Sequence, residues 1–249
     1  MVAITIITVT RNDLEGLKLT AASILPHLSN DVFWIVVDGA SSDGTASYIA
    51  SLGDYIYWTT SKPDKGIYDA MNIGGLHSPE KSFLVWINSG DQLTCVPHLT
   101  DEYDAYFFGV VIKETGQSKL PSISARFGLK SISPYSQFFH QGFFIAREIF
   151  MNYKYDLRIG LSGDMLLMLQ VVKSHEYKVI NDVAAIYSAE GQSNTRVLSL
   201  LSSHFAVVRY FGLSVIKYCF LNKNFIVKSV IKAVVPFSWV IFYRKLLVR

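Results

Sequence analysis

Over roughly its first ninety residues the chain alternates short apolar runs with stretches of helical spacing, and few folds accept that rhythm. Ala3 to Val9 is a β-branched run too uniformly apolar for a half-exposed strand, and it reads as a buried parallel one. Asp13 to about Leu25 follows with Leu14, Leu17, Ala21 and Leu25 on one helical face and Pro26 as a stop. Phe33 to Val37 predicts a second strand ending at Asp38-Gly39, and Ser41-Ser42-Asp43-Gly44-Thr45 offers capping chemistry for a helix through Leu52. Tyr55 to Trp58 predicts a third strand, Ile67 to Gly74 a short helix, and Phe83 to Ile87 a fourth strand running into Asn88-Ser89-Gly90-Asp91. The expectation is an α/β fold built on a doubly wound, mostly parallel sheet. With 50% apolar and 17% charged residues the chain can fill such a core, which excludes a disordered or collagen-like polymer.

In sheets of this kind ligands bind beyond the carboxyl ends of the strands. The residues there are polar at every strand: Thr10, Arg11, Asn12 and Asp13; Asp38; Ser61 to Lys65; Asn88 to Asp91. Each set alone reads as ordinary turn chemistry. Together they predict a nucleotide-phosphate and metal site. Farther on, Ala105 to Ile112 is apolar and Lys113 to Pro134 is a Ser/Lys/Pro/Gly-rich connection. Phe138 to Ile145 predicts a strand, and Ser162-Gly163-Asp164 opens a helix to about Lys173.

Four segments carry a resemblance to a known family: Ile4 to Asn12, Val36 to Thr45, Lys62 to Asn72 and Ile87 to Asp91. In this order they resemble the motifs of family 2 glycosyltransferases, in the branch of bacterial exopolysaccharide and O-antigen enzymes that includes the colanic-acid type. A looser similarity continues through His140-Gln141, Ser162-Gly163-Asp164 and Gly191-Gln192-Ser193, and fades after about residue 195. The resemblance implies a GT-A fold, a UDP- or GDP-sugar donor, Mg²⁺ or Mn²⁺, and an inverting single displacement. It places Thr10, Arg11 and Asn12 near the nucleoside and Asp38 on its base or ribose. Asp64, Lys65, Asp69 and Asn72 would border the donor, with Asn88, Ser89 and Gly90 beside Asp91, the expected metal ligand. Many relatives have Asp-x-Asp where this chain has Ser89-Gly90-Asp91, so a single carboxylate would hold the ion with phosphate and water. Asp164 is the expected base for the acceptor hydroxyl. Without that role it would be an acid at a helix N-terminus, where the macrodipole favours it. His140 and Gln141 are assigned to the acceptor side, with His140 as the competing base. Tyr68 and Trp86 suit either stacking on a ligand or the core.

Charge divides the chain more sharply than hydropathy does. All 20 acids lie at or before Glu190, where they face 14 cations, whereas residues 191–249 hold nine cations and no acid. The expected organisation is therefore a catalytic domain, 1–195, and a basic, aromatic-rich helical segment, 196–249. Its longest apolar run, residues 233–243, is 11 residues and contains Pro236, too short to span a bilayer, which takes about 20. Such a segment suits the interface of an anionic membrane. Alternatively, it packs on the domain or makes a homo-oligomer with its cations solvated. It is too apolar for a phosphate-tracking arm, so nucleic acid is not expected. Cys95 and Cys219 lack metal or disulfide spacing, and the first residues lack a basic leader region. Together these predict a body in the cytoplasm, peripheral on the inner face of a bacterial membrane, acting on a glycan or a polyisoprenyl-diphosphate-linked acceptor. A non-catalytic nucleotide-sugar-binding or scaffold protein is the alternative. Nucleotidyl transfer is disfavoured because no Gly-rich basic loop follows the first strand.

Overall fold

A computed structural model describes residues 2–121, 139–188, 197–224 and 226–227. The first half follows the expected rhythm: β1 (Ala3–Thr10), α1 (Leu14–Ile24), β2 (Val32–Asp38), α2 (Thr45–Ser51), β3 (Trp58–Ser61), α3 (Ile67–Leu76) and β4 (Ser82–Trp86). Next come β5 (Gln92–Leu93), β6 (Ala105–Ile112), β7 (Ser118–Lys119), β8 (Phe143–Ala146), α4 (Arg147–Tyr153), α5 (Gly163–Ser174) and β9 (Tyr177–Tyr187). Helices α6 (Val197–Tyr210) and α7 (Val215–Leu221) follow.

The strands form one sheet in the order β3-β2-β1-β4-β8-β6-β9-β5, with β7 beside β6. β3, β2, β1 and β4 are parallel neighbours, β8 runs antiparallel to both β4 and β6, and β9 is parallel to β6. The architecture is thus the α/β, mostly parallel sheet that the sequence predicts. β1 is buried on both faces: Ile4 and Ile6 pack with Leu17 and Ala21 of α1, while Ile7 and Val9 pack with Met71 of α3. Each such side chain contributes about 1.5–3 kcal/mol of burial. Thr5 and Thr8 share that interior because their hydroxyls have partners, Ser82 Oγ at 3.0 Å and the Ile87 carbonyl at 2.8 Å. α3 lies close on the sheet because Gly74 has no side chain, and close to α4 because Gly75 has none; a Cβ would stand 2.4 Å from Ile7 Cγ2 of β1 and 2.2 Å from Phe150 Cε1 of α4, respectively.

Three differences from the sequence reading have physical reasons. The third strand starts at Trp58, and Gly53–Tyr55 is a 3-10 turn whose Tyr55 is exposed, so aromatic content misplaced the strand. Of the strand expected over Phe138 to Ile145, Phe138 lies outside the described residues, His140–Gly142 is a 3-10 turn, and the strand begins at Phe143. β9 carries Asn181-Asp182 in its middle and shows no apolar run at its start, which concealed it. Of the 113–134 connection, residues 113–121 include β7 paired with β6; the rest lies outside the described residues, as does Gly191-Gln192-Ser193.

α6 and α7 pack on α5. Met165, Leu166 and Leu169 meet Val207, Val208 and Tyr218, with Phe205 and Phe211 alongside. The described part of the basic segment is therefore a helical pair seated on the domain. It leaves Ile216 and Phe220 exposed, at 83% and 77%. No helix among the described residues is long and apolar enough to cross a membrane.

Candidate active site

The register of the parallel strands brings their carboxyl ends level, with Thr10 opposite Asp38 and Asp38 opposite Ser61. Asn12 has a left-handed backbone, φ 51°, which turns its side chain back on the next loop. Its Oδ1 accepts from Ser42 N–H at 2.8 Å, and its own N–H donates to Ser41 Oγ at 2.7 Å. Asp38 is fully buried; Ser41 N–H and hydroxyl donate to it, and Ser61 Oγ donates at 2.5 Å. Asp38 thus ties the loop after β2 to the end of β3. Gly39 lets the neighbours close in, since a Cβ there would lie 2.7 Å from Asp64 Oδ2 and 3.3 Å from Arg11 Cδ.

The next loop is held by its own acids. Asp64 accepts from Gly66 N–H at 2.8 Å and Asp69 from Lys65 N–H at 2.9 Å. Asn72 points elsewhere: its amide pairs both ways with the Tyr155 backbone, at 2.9 and 2.8 Å, and so holds the segment leading to α5. Arg11, Lys62 and Lys65 are exposed and form no ion pair among the described residues. Their charge is available to a ligand over the strand ends.

After β4, Asn88 to Asp91 form a turn in which Asp91 N–H donates to the Asn88 carbonyl, with Gly90 at φ 92°. Thr20 anchors it from α1, its hydroxyl donating to the Asp91 carbonyl at 2.6 Å. Ser89 Oγ donates to Asp13 Oδ2 at 2.7 Å, and Asp13 also caps α1. Asp91 is 4% exposed, and its carboxylate accepts from Gln141 Nε2 and Ser188 N–H, each at 2.9 Å. Burial pushes its carboxyl above the usual range, and His140 and these two donors only partly offset that. Thr10 Oγ1 and Asn88 Oδ1 are buried with no hydrogen-bond partner among the described residues.

Asp164 stands in the first turn of α5. Its Oδ1 lies 3.0 Å from Tyr68 Oη and accepts Met165 N–H at 2.8 Å, while Oδ2 lies 3.5 Å from His140 Nδ1. Burial alone would raise this carboxyl, but His140, Met165 N–H and Tyr68 outweigh it and hold it below its ordinary value. Asp164 is therefore ionised and able to take a proton. Tyr68, driven well above the phenol range by burial and then by the Asp164 charge, remains a donor. On the far side of His140, Asn88 Nδ2 lies 3.1 Å from Nε2.

The structure thus brings Asn88, Asp91, His140, Gln141 and Asp164 together, and Thr10, Arg11, Asn12, Asp38 and Asp64 at the neighbouring strand ends. His140 and Gln141 face the two carboxylates. Trp86 is fully buried in the core. Tyr68, left open by the sequence, is a partner of Asp164, and its place in the Lys62-to-Asn72 segment is the available signal. Ser188 contributes only its backbone, for which no side-chain pattern exists.

No family model matches the chain. Two uncharacterized glycosyltransferases, from two strains of Mycobacterium tuberculosis, are each 35% identical over 94 residues, which cover 36% of this chain. The chain spans 35% of the length of these curated relatives. Among solved structures, Staphylococcus aureus TarS 1-349 in complex with UDP superposes with a TM-score of 0.56 at 11% identity, covering 81% of this chain and 64% of that one. The mannosyltransferase PcManGT from Pyrobaculum calidifontis, in complex with GDP-Man and Mn²⁺, gives 0.58 at 16%, covering 82% and 63%. Glucosyl-3-phosphoglycerate synthase from M. tuberculosis gives 0.56 at 15%, covering 86% and 81%. The chain has the GT-A type of Rossmann-like fold found in these glycosyltransferases.

Proposed function

We propose that this chain is an inverting glycosyltransferase that uses a nucleotide-sugar donor. The observation that carries the reading is that Asp164, ionised and largely buried, is linked through His140 and Asn88 to the turn that holds a second acid, Asp91, beside strand ends whose Arg11, Lys62 and Lys65 form no ion pair among the described residues. In this reading Asp164 removes the proton of the acceptor hydroxyl as its oxygen attacks the anomeric carbon. The bond to the donor diphosphate breaks on the opposite face. Arg11 and Lys65 stabilise charge growing on the diphosphate, and Thr10, Asn12 and Asp38 form the floor of the nucleoside pocket.

A divalent ion, Mg²⁺ or Mn²⁺, fits the Asn88-to-Asp91 turn. Asp91 is a buried carboxylate already oriented by two donors, the arrangement typical behind a metal ligand, and Asn88 Oδ1 in the same turn has no partner among the described residues. Among the described residues no three acids, histidines or cysteines gather to cage an ion, so phosphate oxygens and water would complete its shell. When bound, such an ion neutralises the leaving diphosphate.

The finer reading is a peripheral enzyme of the inner bacterial membrane that extends a lipid-linked glycan for a surface polysaccharide of the exopolysaccharide or O-antigen type. The support is the acid-free segment after Glu190 and the apolar pair Ile216 and Phe220 beside Lys217 and Lys223. Incubating the protein with UDP-glucose, UDP-N-acetylglucosamine, UDP-galactose or GDP-mannose, Mn²⁺ and polyisoprenyl-diphosphate sugars tests this directly. One donor should lengthen the lipid product by one sugar. Binding of donors without any product would leave a nucleotide-sugar-binding protein instead.

A further inference from the structure

Asn88, His140 and Asp164 come from three distant parts of the chain and meet in succession, one on each nitrogen of the His140 ring. Asn88 Nδ2 can only donate, so His140 Nε2, 3.1 Å away, must present its lone pair. The proton of the neutral ring is then on Nδ1, which faces Asp164 Oδ2 at 3.5 Å. The adjacent residue, Gln141, is 2% exposed and donates to Asp91 Oδ2. Gly142 closes the turn so tightly that a Cβ would stand 2.3 Å from the Phe108 carbonyl of β6. One short turn, pressed against the central sheet, therefore touches both carboxylates assigned above to leaving group and acceptor.

We infer that the His140-Gln141 turn is a positioning element: His140, kept in its Nδ1–H form by Asn88, aims Asp164, while Gln141 aims Asp91. The inference rests on the reading of Asp164 as base. The distance between the two acids is then set by a rigid turn before any ligand arrives, which is where pre-organisation is most effective. It also gives Asn88 a task other than touching the donor. A histidine satisfied only for packing would need neither a specified tautomer nor a carboxylate beyond it.

Two measurements on the full chain test this. In ¹⁵N-histidine NMR of the neutral ring, His140 should carry its proton on Nδ1. Asn88→Ala should release it to the Nε2–H form. In donor turnover with the same UDP- and GDP-sugars plus Mn²⁺, His140→Ala should lower the rate about 10- to 100-fold with unchanged affinity for the nucleoside diphosphate. His140→Asn, which returns an N–H donor near the Nδ1 position, should recover most of that loss. An Nε2–H ring in the wild-type protein overturns the inference, as does full turnover in His140→Ala while Asp164→Asn is inactive. Full turnover in Asp164→Asn itself would overturn the base reading, and the inference with it.

Discussion

Asp164 and Asp91 are both carboxylates in a low-dielectric setting, and their neighbours push them in opposite directions. For Asp164, the folded-state value lies below the unfolded one, about 3.9. Its contribution to stability is therefore present above that pH and is lost as pH falls through the folded value. Chemical denaturation should show Asp164→Asn less stable than wild type at neutral pH, with the difference vanishing in strong acid. Turnover of that variant should fall about 10²- to 10⁴-fold at unchanged nucleoside diphosphate affinity. Asp91 has the reverse sign: its folded-state value is raised, so ionisation costs stability as pH rises, unless a cation compensates. Mn²⁺ added with UDP or GDP should accordingly raise the melting temperature of the wild-type protein by binding the folded state. Asp91→Asn should lose that shift yet still fold, because the Gln141 amide can turn its oxygen toward the new NH₂ group. Asp91→Leu strands two buried donors, each costing about 1–3 kcal/mol, and should melt several degrees lower.

The elements that carry these residues differ in how visible they are in the sequence. β1, β2 and β4 are legible because burial on both faces selects uninterrupted apolar runs, and their polar ends point to the site. α5 is legible from Ser162-Gly163-Asp164 and the apolar residues that follow. The short turn 140–142 is not, since its Phe-rich flanks imitate a continuous strand and its conformation depends on a close approach to Phe108. Asn72 was similarly opaque: a polar residue on a helix does not reveal that its partner is the backbone of Tyr155, 83 positions away. The turn's dependence on Gly142 can be measured. Gly142→Ala should cost about 1–3 kcal/mol by overpacking and lower donor turnover, whereas Gly53→Ala, strained by its φ of 51° but with open space around its Cβ and far from the site, should cost stability and leave turnover unchanged.

Across the whole molecule, α6 and α7 join the basic segment to α5, the helix that carries Asp164 at its first turn. Removing everything after residue 195 would bare Met165, Leu166 and Leu169, so loss of function on truncation would mix folding with membrane binding. Ile216→Ser with Phe220→Ser is the cleaner probe, because both side chains are exposed. That pair should weaken sedimentation with anionic phospholipid vesicles at low salt and leave nucleotide affinity as it was. Equal sedimentation would assign the exposed face to something other than lipid. The central claim, a sugar transferase whose proton acceptor is Asp164, is tested most directly by nucleoside diphosphate release. Wild type and Asp164→Asn should be compared on each UDP- and GDP-sugar with Mn²⁺, with affinity for the nucleoside diphosphate measured in parallel. The expected result is release from at least one donor by the wild type, reduced about 10²- to 10⁴-fold in the variant at equal affinity. Equal release by the two proteins, or none by the wild type from any donor it binds, would contradict it.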